Sequence, residues 1–554
     1  MGFPLCDQKR KIRISNIVLS GISDRQVRRN PTSLVSHGSR SRMFVRRDLL
    51  KASITALVAG VPGGRALAQS APPAPPPAPP VFGRDIVLDL ARALAKRPFA
   101  APAAELREPF ANLSYEQYVG IRTKQGAAIW SGENRGFSIE PLHRGFIFGA
   151  PVELFVVEDK IARRIGYDPG KFDYGGLKVG DKSPDIGFSG FRILAPQAAG
   201  APDTELALFQ GASFYRAQAR GQTLGVTARG LAIRTADPRG EEFPVFRSFW
   251  IEKPTLADNA LVIHALLDSQ SVTGAYLFTL RPGEATIIDA EFTLFPRVAI
   301  DHLGLGGAAA ASLFTPLDHR RADDPRPFVA ETNGLQMLTG KDEWLWRPVS
   351  NRDTLQISAF VDANPKGYGF LTRDRDIETY QDDIQHWERR PSLWVEPIGD
   401  WGEGSVQLVE IPSESEVNAN IVAYWRPKQP LAAGKEATFA YRQFWCWSPP
   451  ARPPFAVAVA AYGGRAPAPK LRRFIVQFAG DTLGDPQRIA NLRPVLTTSP
   501  GSATNIRAYP NPKAKTCRIV FDVDPAGETF CELRLVLQSG DEPISETWLY
   551  RWTV

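Results

Sequence analysis

Short runs of Val, Ile, Phe, Tyr and Trp recur along the chain from about residue 145, and clusters of Gly, Pro, Asn and Asp separate them. Helical spacing of apolar residues is clear only at 83–98, where five apolar side chains share one face: Ile86, Val87, Leu90, Ala91 and Leu94. Many short strands without intervening helices predict an all-β protein of packed sheets. The Gly-rich stretch Leu303–Ala311 has no strand–turn–helix context, so we expect a loop there.

The pattern predicts a division of the chain near residue 450. Residues 82–450 contain most of the strand runs and predict one large β-sandwich domain. Residues 451–470 are rich in Pro, Ala and Gly, which is typical of a linker. The strand runs in 471–554 have the number and spacing of a small immunoglobulin-like sandwich.

The N-terminal region has the pattern of an export signal. Within 43–68, Arg46-Arg47 precedes a modest apolar run and an Ala-Leu-Ala site, which is typical of a twin-arginine signal peptide. The apolar run is shorter than the roughly 20 residues of a membrane-spanning helix. Residues 1–42 are interpreted as a leader included by too early a choice of start codon, with Met43 as the true start. Residues 69–81 are interpreted as an extended Pro/Ala linker. We therefore expect a periplasmic protein, exported by the twin-arginine pathway and not spanning the membrane.

The net charge changes when these segments are set aside. The full chain has 66 Lys and Arg residues against 59 Asp and Glu, a formal charge of +7. Residues 1–68 contain 13 of the basic and 3 of the acidic residues, which leaves a charge of −3 for the rest. A mildly acidic body argues against nucleic acid as a partner.

Cysteine and histidine are sparse after the signal. Only Cys446, Cys517 and Cys531 remain, and the last two flank a predicted hairpin turn, where they either pair or stay buried thiols. The chain has six His and no metal-binding or phosphate-binding motif, so we expect no metal and no cofactor.

Residues 366–428 combine aromatic rings, carboxylates and arginines at high density. Sugar rings stack on aromatic faces, and sugar hydroxyls bond to carboxylates and guanidinium groups. Glycoside hydrolysis also needs two carboxyl groups, an acid and a base. The alternative is that the rings fill a core and the charges pair at its rim.

Several short sequence blocks, in the order in which they occur along the chain, resemble those of one protein family. They include FQGASFYRA (Phe209–Ala217), EWLWRP (Glu343–Pro348) and ERRPSLWVEPIGDWGEG (Glu388–Gly404). From Phe82 to Trp552 the chain resembles the periplasmic osmoregulated glucan biosynthesis proteins G and D, and its signal is similar to the D-type. The resemblance implies a galactose-mutarotase-like β-sandwich followed by an immunoglobulin-like domain. It also implies a β-1,2-linked glucan chain as ligand, and an inner-membrane glucan synthase as partner.

The family resembles inverting β-1,2-glucanases and transglycosylases, and its catalytic residues carry over incompletely. The position that corresponds to the family's general acid is Ala419, which has no proton to donate. The position of the general base is Glu331, in place of an Asp. The nearest substitutes for the acid are Glu416 and Glu414, and Asp382 is a further candidate.

Five further residues are candidates for binding the glucan: Tyr380, Trp394, Trp401, Arg389 and Glu396. The two Trp side chains are equally consistent with a core role, and Arg389 with a structural ion pair.

Three interpretations of the function follow. The protein processes glucan with a relocated acid, binds glucan without cleaving it, or acts on a different linkage. A structural envelope protein, the alternative from another class, would have no affinity for glucan.

Overall fold

The computed structural model describes residues 81–180, 184–198, 200–318 and 323–554. Residues 1–80 lie outside these ranges. They include the predicted leader, the predicted signal peptide and all but the last residue of the predicted Pro/Ala linker. In the described part of the chain, no helix is long and apolar enough to cross a membrane.

Strands dominate the described ranges. The four α-helices are α1 (Arg84–Ala95), α2 (Tyr115–Gly120), α3 (Ile377–Tyr380) and α4 (Pro486–Ala490). The first strands are β1 (Arg122–Thr123), β2 (Ser138–Leu142), β3 (Glu153–Glu158), β4 (Ile161–Arg164), β5 (Phe172–Asp173), β6 (Gly190–Pro196), β7 (Asp203–Gln210), β8 (Phe214–Ala217), β9 (Thr227–Arg229), β10 (Ala232–Ile233) and β11 (Val245–Glu252). They are followed by β12 (Leu261–Asp268), β13 (Val272–Arg281), β14 (Ala285–Pro296), β15 (Leu303–Ala310), β16 (Ser312–Phe314), β17 (Val329–Ala330), β18 (Gly334–Leu338), β19 (Trp344–Pro348), β20 (Gln356–Ala363), β21 (Gly367–Leu371) and β22 (Ser392–Ile398). The last are β23 (Glu403–Glu410), β24 (Ile421–Pro427), β25 (Ala437–Cys446), β26 (Val457–Arg465), β27 (Arg472–Ala479), β28 (Leu492–Ser499), β29 (Ser502–Asn511), β30 (Thr516–Asp524), β31 (Phe530–Ser539), β32 (Glu542–Pro543) and β33 (Thr547–Thr553).

Two large sheets enclose the main core. The ten-strand sheet has the order β2-β6-β7-β8-β9-β15-β24-β23-β20, with β10 beside β15. The fifteen-strand sheet has the order β28-β31-β33-β19-β18-β21-β22-β25-β14-β13-β12-β11-β3-β4, with β32 beside β31. Aromatic rings of the two sheets pack against each other in the core. The rings of Phe209 and Tyr215 each make an edge-to-face contact with the ring of Phe278, at centroid distances of 5.5 and 5.4 Å. The all-β sandwich class predicted from the strand pattern is confirmed.

The fifteen-strand sheet continues into the C-terminal region. Strand β33 pairs with β19 in parallel, with Trp548 opposite Trp346. A four-strand sheet, in the order β26-β27-β30-β29, packs over this end and buries Trp548. The segment 451–470, expected to be a linker, instead contains β26, which is hydrogen-bonded to β27. The placement of a domain boundary near residue 450 stays a prediction.

Helix α1 forms where the apolar spacing predicts a helix. Val87 and Ala91 are buried against β12 and β13, and Ile86 and Leu94 are partly buried beside them. Leu90, expected on the same face, is 42% exposed. The Thr273 hydroxyl donates to the carbonyl of Ala91 at 2.7 Å and fixes the helix to the sheet.

The Gly-rich stretch expected to be a loop is a central strand, β15. Its small residues are explained by large neighbours on both faces. A Cβ atom at Gly304 would lie 2.6 Å from the Tyr424 ring, and one at Gly306 would lie 2.5 Å from the Tyr368 hydroxyl. Glycine is therefore needed for close packing here, so the lack of large apolar residues concealed a buried strand.

The three described cysteines are free and buried. Burial raises the pKa of Cys446 to about 12 and that of Cys517 to about 11, so both thiols stay protonated at neutral pH. Of the two possibilities left open for Cys517 and Cys531, the structure has buried thiols.

A buried ion pair joins the C-terminal strands to the large sandwich. Arg373 donates to both carboxylate oxygens of Glu546 at 2.6 and 2.8 Å, and its guanidinium lies 3.5 Å from the Trp346 ring centroid. Glu546 also accepts from the Ala458 amide at 2.8 Å. The pair thus connects three segments through one fully buried carboxylate.

We expect Arg373→Met to destabilise the protein by about 3–5 kcal/mol, because it leaves the Glu546 charge buried without its partner. The matched control is Arg534→Met, which removes an exposed pair with Glu343 and should cost no more than about 1 kcal/mol. Chemical denaturation of the two variants gives the comparison. Equal losses of unfolding free energy in the two variants would show that the buried pair stabilises the protein no more than the exposed pair, which would contradict the prediction.

Candidate functional site

The candidate site lies at one end of the outer face of the ten-strand sheet. Ala308 and Ala310 point into the main core, whereas Ala309 points to the opposite side. Since side chains alternate along a strand, Ala311 follows Ala309 on the outer side. On the next strand Val422 pairs with Ala309, so Asn420 also lies on this side.

Asn420 fixes the position of the loop that ends at Ala419. Its side-chain oxygen accepts from the Ser312 amide at 2.8 Å, and its NH₂ group donates to the carbonyls of Ser312 and Ile411 at 3.1 and 3.0 Å. With an exposed fraction of 4%, Asn420 is buried. Ala419, next to it, is exposed.

Glu331 is attached to the same strand end. Its amide donates to the Ala311 carbonyl at 2.8 Å, and its carboxylate accepts from the Ala311 amide at 3.0 Å. Ala311, which binds the Glu331 carboxylate, directly precedes Ser312, which binds the Asn420 side chain. Glu331 and the loop that ends at residue 419 are therefore held by neighbouring backbone positions. Glu331 and residue 419, which the resemblance matched to a base and an acid, are therefore attached to the same strand end, and their roles stay predictions.

Arg326 joins the other two candidate carboxylates. It donates to Asp382 at 2.6 Å and to Glu416 at 2.7 Å, from two nitrogens of one guanidinium. It also makes a two-point contact with Asp324 at 2.8 and 3.0 Å. The pKa of Arg326 is raised, first by its bond to Asp324 and, against burial, by those to Glu416 and Asp382.

Asp382 is held as a carboxylate. Burial alone would raise its pKa, but hydrogen bonds from the Gln385 amide, Arg326 and the Trp387 indole lower it to about 2. The indole contact measures 2.9 Å and the amide contact also 2.9 Å. A carboxyl group with this pKa has no proton to give at neutral pH, so it does not suit a general acid.

One guanidinium group, that of Arg390, interacts with the charge of Glu331. Burial lowers the pKa of Arg390, while the negative charge of Glu331 acts in the opposite direction, so the two groups interact electrostatically. The positive charge of Arg216 also contributes to lowering the pKa of Arg390, and the Arg216 Nε–H group donates to the Thr227 hydroxyl at 2.7 Å. Arg390 passes over Gly225, where a Cβ atom would lie 3.0 Å from its side-chain carbons. A carboxylate and a guanidinium group together offer both acceptors and donors to hydroxyl groups.

The three aromatic candidates are buried in cores. Tyr380 is fully buried and stacks on Phe328 at 4.8 Å, Trp394 is fully buried against Trp344, and Trp401 is 6% exposed in the main core. These rings have no free face for a sugar in this structure, because other side chains cover them. For both Trp residues the core alternative therefore agrees with the structure.

The two remaining candidates are structural in their contacts. Arg389 is exposed and donates to the Gly221 carbonyl at 2.9 and 3.2 Å, which ties it to a neighbouring loop. Glu396 accepts from the Trp394 indole at 3.0 Å. Neither contact leads to Glu331, and a glucan-binding role for them stays a prediction.

The sequence did not predict a role for Arg326 or Arg216, or the bridging role of Asn420. Asp324-Pro325-Arg326 is a short polar stretch without a motif, and its partners Asp382 and Glu416 are 56 and 90 positions away. Only the fold brings them together. In the described ranges, no group of three or more His, Cys, Asp or Glu residues could hold a metal ion.

The fold and the site define a class: a two-sheet β protein with a polar site of carboxylates and guanidinium groups on the outer face of one sheet. The family model "Periplasmic glucan biosynthesis protein, MdoG" matches residues 82–552. The chain belongs to this family, as its sequence blocks predicted.

Relatives from several bacteria agree. "Glucans biosynthesis protein G" of Vibrio cholerae serotype O1 is 44% identical over 478 residues, which cover 85% of this chain and 87% of the relative. The protein of the same name from Bradyrhizobium diazoefficiens is 43% identical over 517 residues, covering 92% and 99%. Both names specify protein G, and the similarity of the signal to the D-type stays a prediction.

Among solved structures, a galactose mutarotase related enzyme from Lactobacillus acidophilus shares 9% identity, covering 43% of this chain and 96% of its own. Its TM-score is 0.19, which is too low to indicate a shared fold. The β-sandwich assignment rests on the strands and sheets themselves.

The lowered pKa of Asp382 predicts a specific pH dependence. Because the pKa is lower in the folded protein than the ordinary value near 3.9, Asp382 stabilises the fold above about pH 4, and this contribution is lost as the pH falls toward 2. Asp382→Asn should therefore lower the melting temperature most at pH 7, with the gap from wild type narrowing below pH 4. Its exposed neighbour offers the control, Asp383→Asn, with little change. A gap for Asp382→Asn as wide at pH 3 as at pH 7 would contradict the assignment.

Proposed function

We propose that this protein binds the β-1,2-linked backbone of a periplasmic glucan and holds it without cleaving it. The observation that carries the proposal is Ala419, an exposed methyl group beside the base candidate Glu331, where the family pattern has an acid. Membership of the periplasmic glucan biosynthesis family supports the ligand class.

The polar groups of the site suit a neutral sugar chain. Arg390 supplies a guanidinium group that interacts with the Glu331 carboxylate, and sugar hydroxyls both accept and donate hydrogen bonds. The burial of Tyr380, Trp394 and Trp401 argues that hydrogen bonds, more than stacking on these rings, carry recognition. A chain bound over Glu331 and Ala419 would meet a base without an acid.

Without a carboxyl group at position 419, one of the two groups that glycoside hydrolysis needs is missing. An inverting glycosidase protonates the leaving oxygen with one carboxyl group while another activates water. Asp382 is ionised at neutral pH and bonded to Arg326, so it does not replace the missing group. General acid–base catalysis contributes about 10²–10⁴-fold in rate, and its absence leaves binding as the main activity.

The second candidate is a glucanase or transglycosylase in which Glu416 is the relocated acid. One observation favours it, since the Glu416 side chain is 27% exposed and is three residues from Ala419. Its carboxylate accepts a hydrogen bond from Arg326 at 2.7 Å, which holds the side chain in place and counts against this role.

The location and partners follow from the same proposal. The family name and the twin-arginine pattern at 43–68 support export to the periplasm through the twin-arginine pathway. An inner-membrane glucan synthase is the partner that would deliver the nascent chain.

We expect purified protein from Gln69 onward to bind linear β-1,2-glucan without shortening it. Calorimetry measures binding, and reducing ends with chain-length analysis measure cleavage. Glu331→Gln should weaken binding by about tenfold or more by removing a charged acceptor, and Glu416→Gln should leave chain length unchanged. Shortened glucan that disappears in Glu416→Gln would establish the second candidate, and no binding would contradict both.

Restoring a carboxyl group at position 419 should create cleavage. Ala419→Asp places an acid beside Glu331, and we expect about a 10²–10⁴-fold gain in the release of reducing ends. Ala419→Asn is the matched control, because it has nearly the same shape without an acidic proton. An equal rate in the two variants would show that residue 419 is not the acid position.

A further inference from the structure

A second cleft lies away from Glu331, between strand β20 and the C-terminal strands. It has a volume of about 370 Å³, within the range of about 300–1,000 Å³ for ligand sites. Residues 357–360 of β20 form one wall. Side chains of β19, β28, β31 and β33 form the floor.

The floor is one face of the fifteen-strand sheet. Strand pairing places Thr497 opposite Arg534 and Arg534 opposite Leu549, while Glu532 pairs with Arg551 in the next row. Apolar Leu549 thus lies among charged and hydroxyl side chains. Ile357 and Phe360 add apolar surface from the wall.

Two polar groups of this cleft lack hydrogen-bond partners among the described residues. They are the Ser358 hydroxyl on the wall and the Nε–H group of Arg551 on the floor, and both atoms are buried. The Arg551 nitrogen lies 3.6 Å from a Glu532 oxygen, which is too far for a hydrogen bond. Burial also raises the pKa of Glu532, against the positive charges of Arg347 and Arg551, which lower it. Buried polar groups of this kind are normally satisfied by a partner.

The charges of the cleft are balanced by the protein itself. Arg347 contacts Glu410 at 3.2 Å, Arg534 contacts Glu343 at 2.6 Å, and Arg551 faces Glu532 at 3.6 Å. An anionic ligand would have to displace one of these carboxylates. A neutral ligand with hydroxyl groups can instead accept from Arg551 and donate to Glu532 without breaking a pair.

We propose that this cleft is a second binding site for a neutral glycan segment of one or two sugar residues. The apolar side chains contact the C–H face of the sugar, and its hydroxyl groups satisfy Ser358, Arg551 and Glu532. The proposal rests on the proposed function, which supplies β-1,2-glucan as the ligand.

The two sites are close enough for one chain to reach both. On the ten-strand sheet, Ile357 pairs with Val409, Val409 with Val422, and Val422 with Ala309. Three strand spacings of about 4.8 Å separate β20 from the strand that leads to Glu331, roughly 15 Å. A long glucan engaging both sites gains affinity over a short one through its raised effective concentration.

The test is hydrogen exchange of the mature protein with and without linear β-1,2-glucan. Ala359→Trp fills the cleft from its exposed rim, and Ala363→Trp is the matched control on the same face of β20 outside the cleft. We expect glucan to protect the amides of 354–364 and 528–538 in wild type and Ala363→Trp but not in Ala359→Trp. In Ala359→Trp the affinity for long glucan should fall about tenfold, while that for the β-1,2-linked glucose disaccharide at the Glu331 site stays unchanged.

The outcomes separate this proposal from the proposed function. Glucan that binds and protects only segments near Glu331 would overturn the second site and leave the proposed function intact. Protection at the cleft that persists in Glu331→Gln would support two separate sites. Protection by inorganic phosphate but not by glucan would contradict the ligand class, and no glucan binding anywhere would overturn both proposals.

Discussion

The site depends on one buried amide. Asn420 bonds to both backbone groups of Ser312 and to the carbonyl of Ile411, and this joins strand β24 to the end of β15. Since the amide next to Ser312, that of Ala311, holds the Glu331 carboxylate, residues 331 and 419 have a fixed relation. The backbone at residue 419 therefore has little freedom to move relative to Glu331.

Arg326 imposes a second constraint on the same surface. It draws Asp324, Asp382 and Glu416 to one guanidinium, which orders the loops before β17, after α3 and before β24. Hydrogen bonds from Arg326 contribute to lowering the pKa of Asp324 and that of Asp382. Asp324 and Asp382 are therefore poor proton donors at neutral pH, and the same arginine orders the loops around them.

The strand pattern predicted the all-β class and helix α1 because alternating and helical spacings depend only on local sequence. It failed at β15, where glycines accommodate the rings of Tyr424 and the hydroxyl of Tyr368 from other strands. The aromatic and charged density at 366–428 was noticed, but sequence could not separate core rings from exposed ones. Arg326 was missed for the same reason, since its importance comes from partners distant in sequence.

The most direct test is a crystal structure of the mature protein grown with a linear β-1,2-linked gluco-oligosaccharide. The account predicts an uncleaved chain across the outer face of the ten-strand sheet, bonded to Glu331 and the neighbouring arginines, with Ala419 beside a glycosidic oxygen. A chain cut at this point, or an empty surface around Glu331 with sugar bound elsewhere, would contradict it.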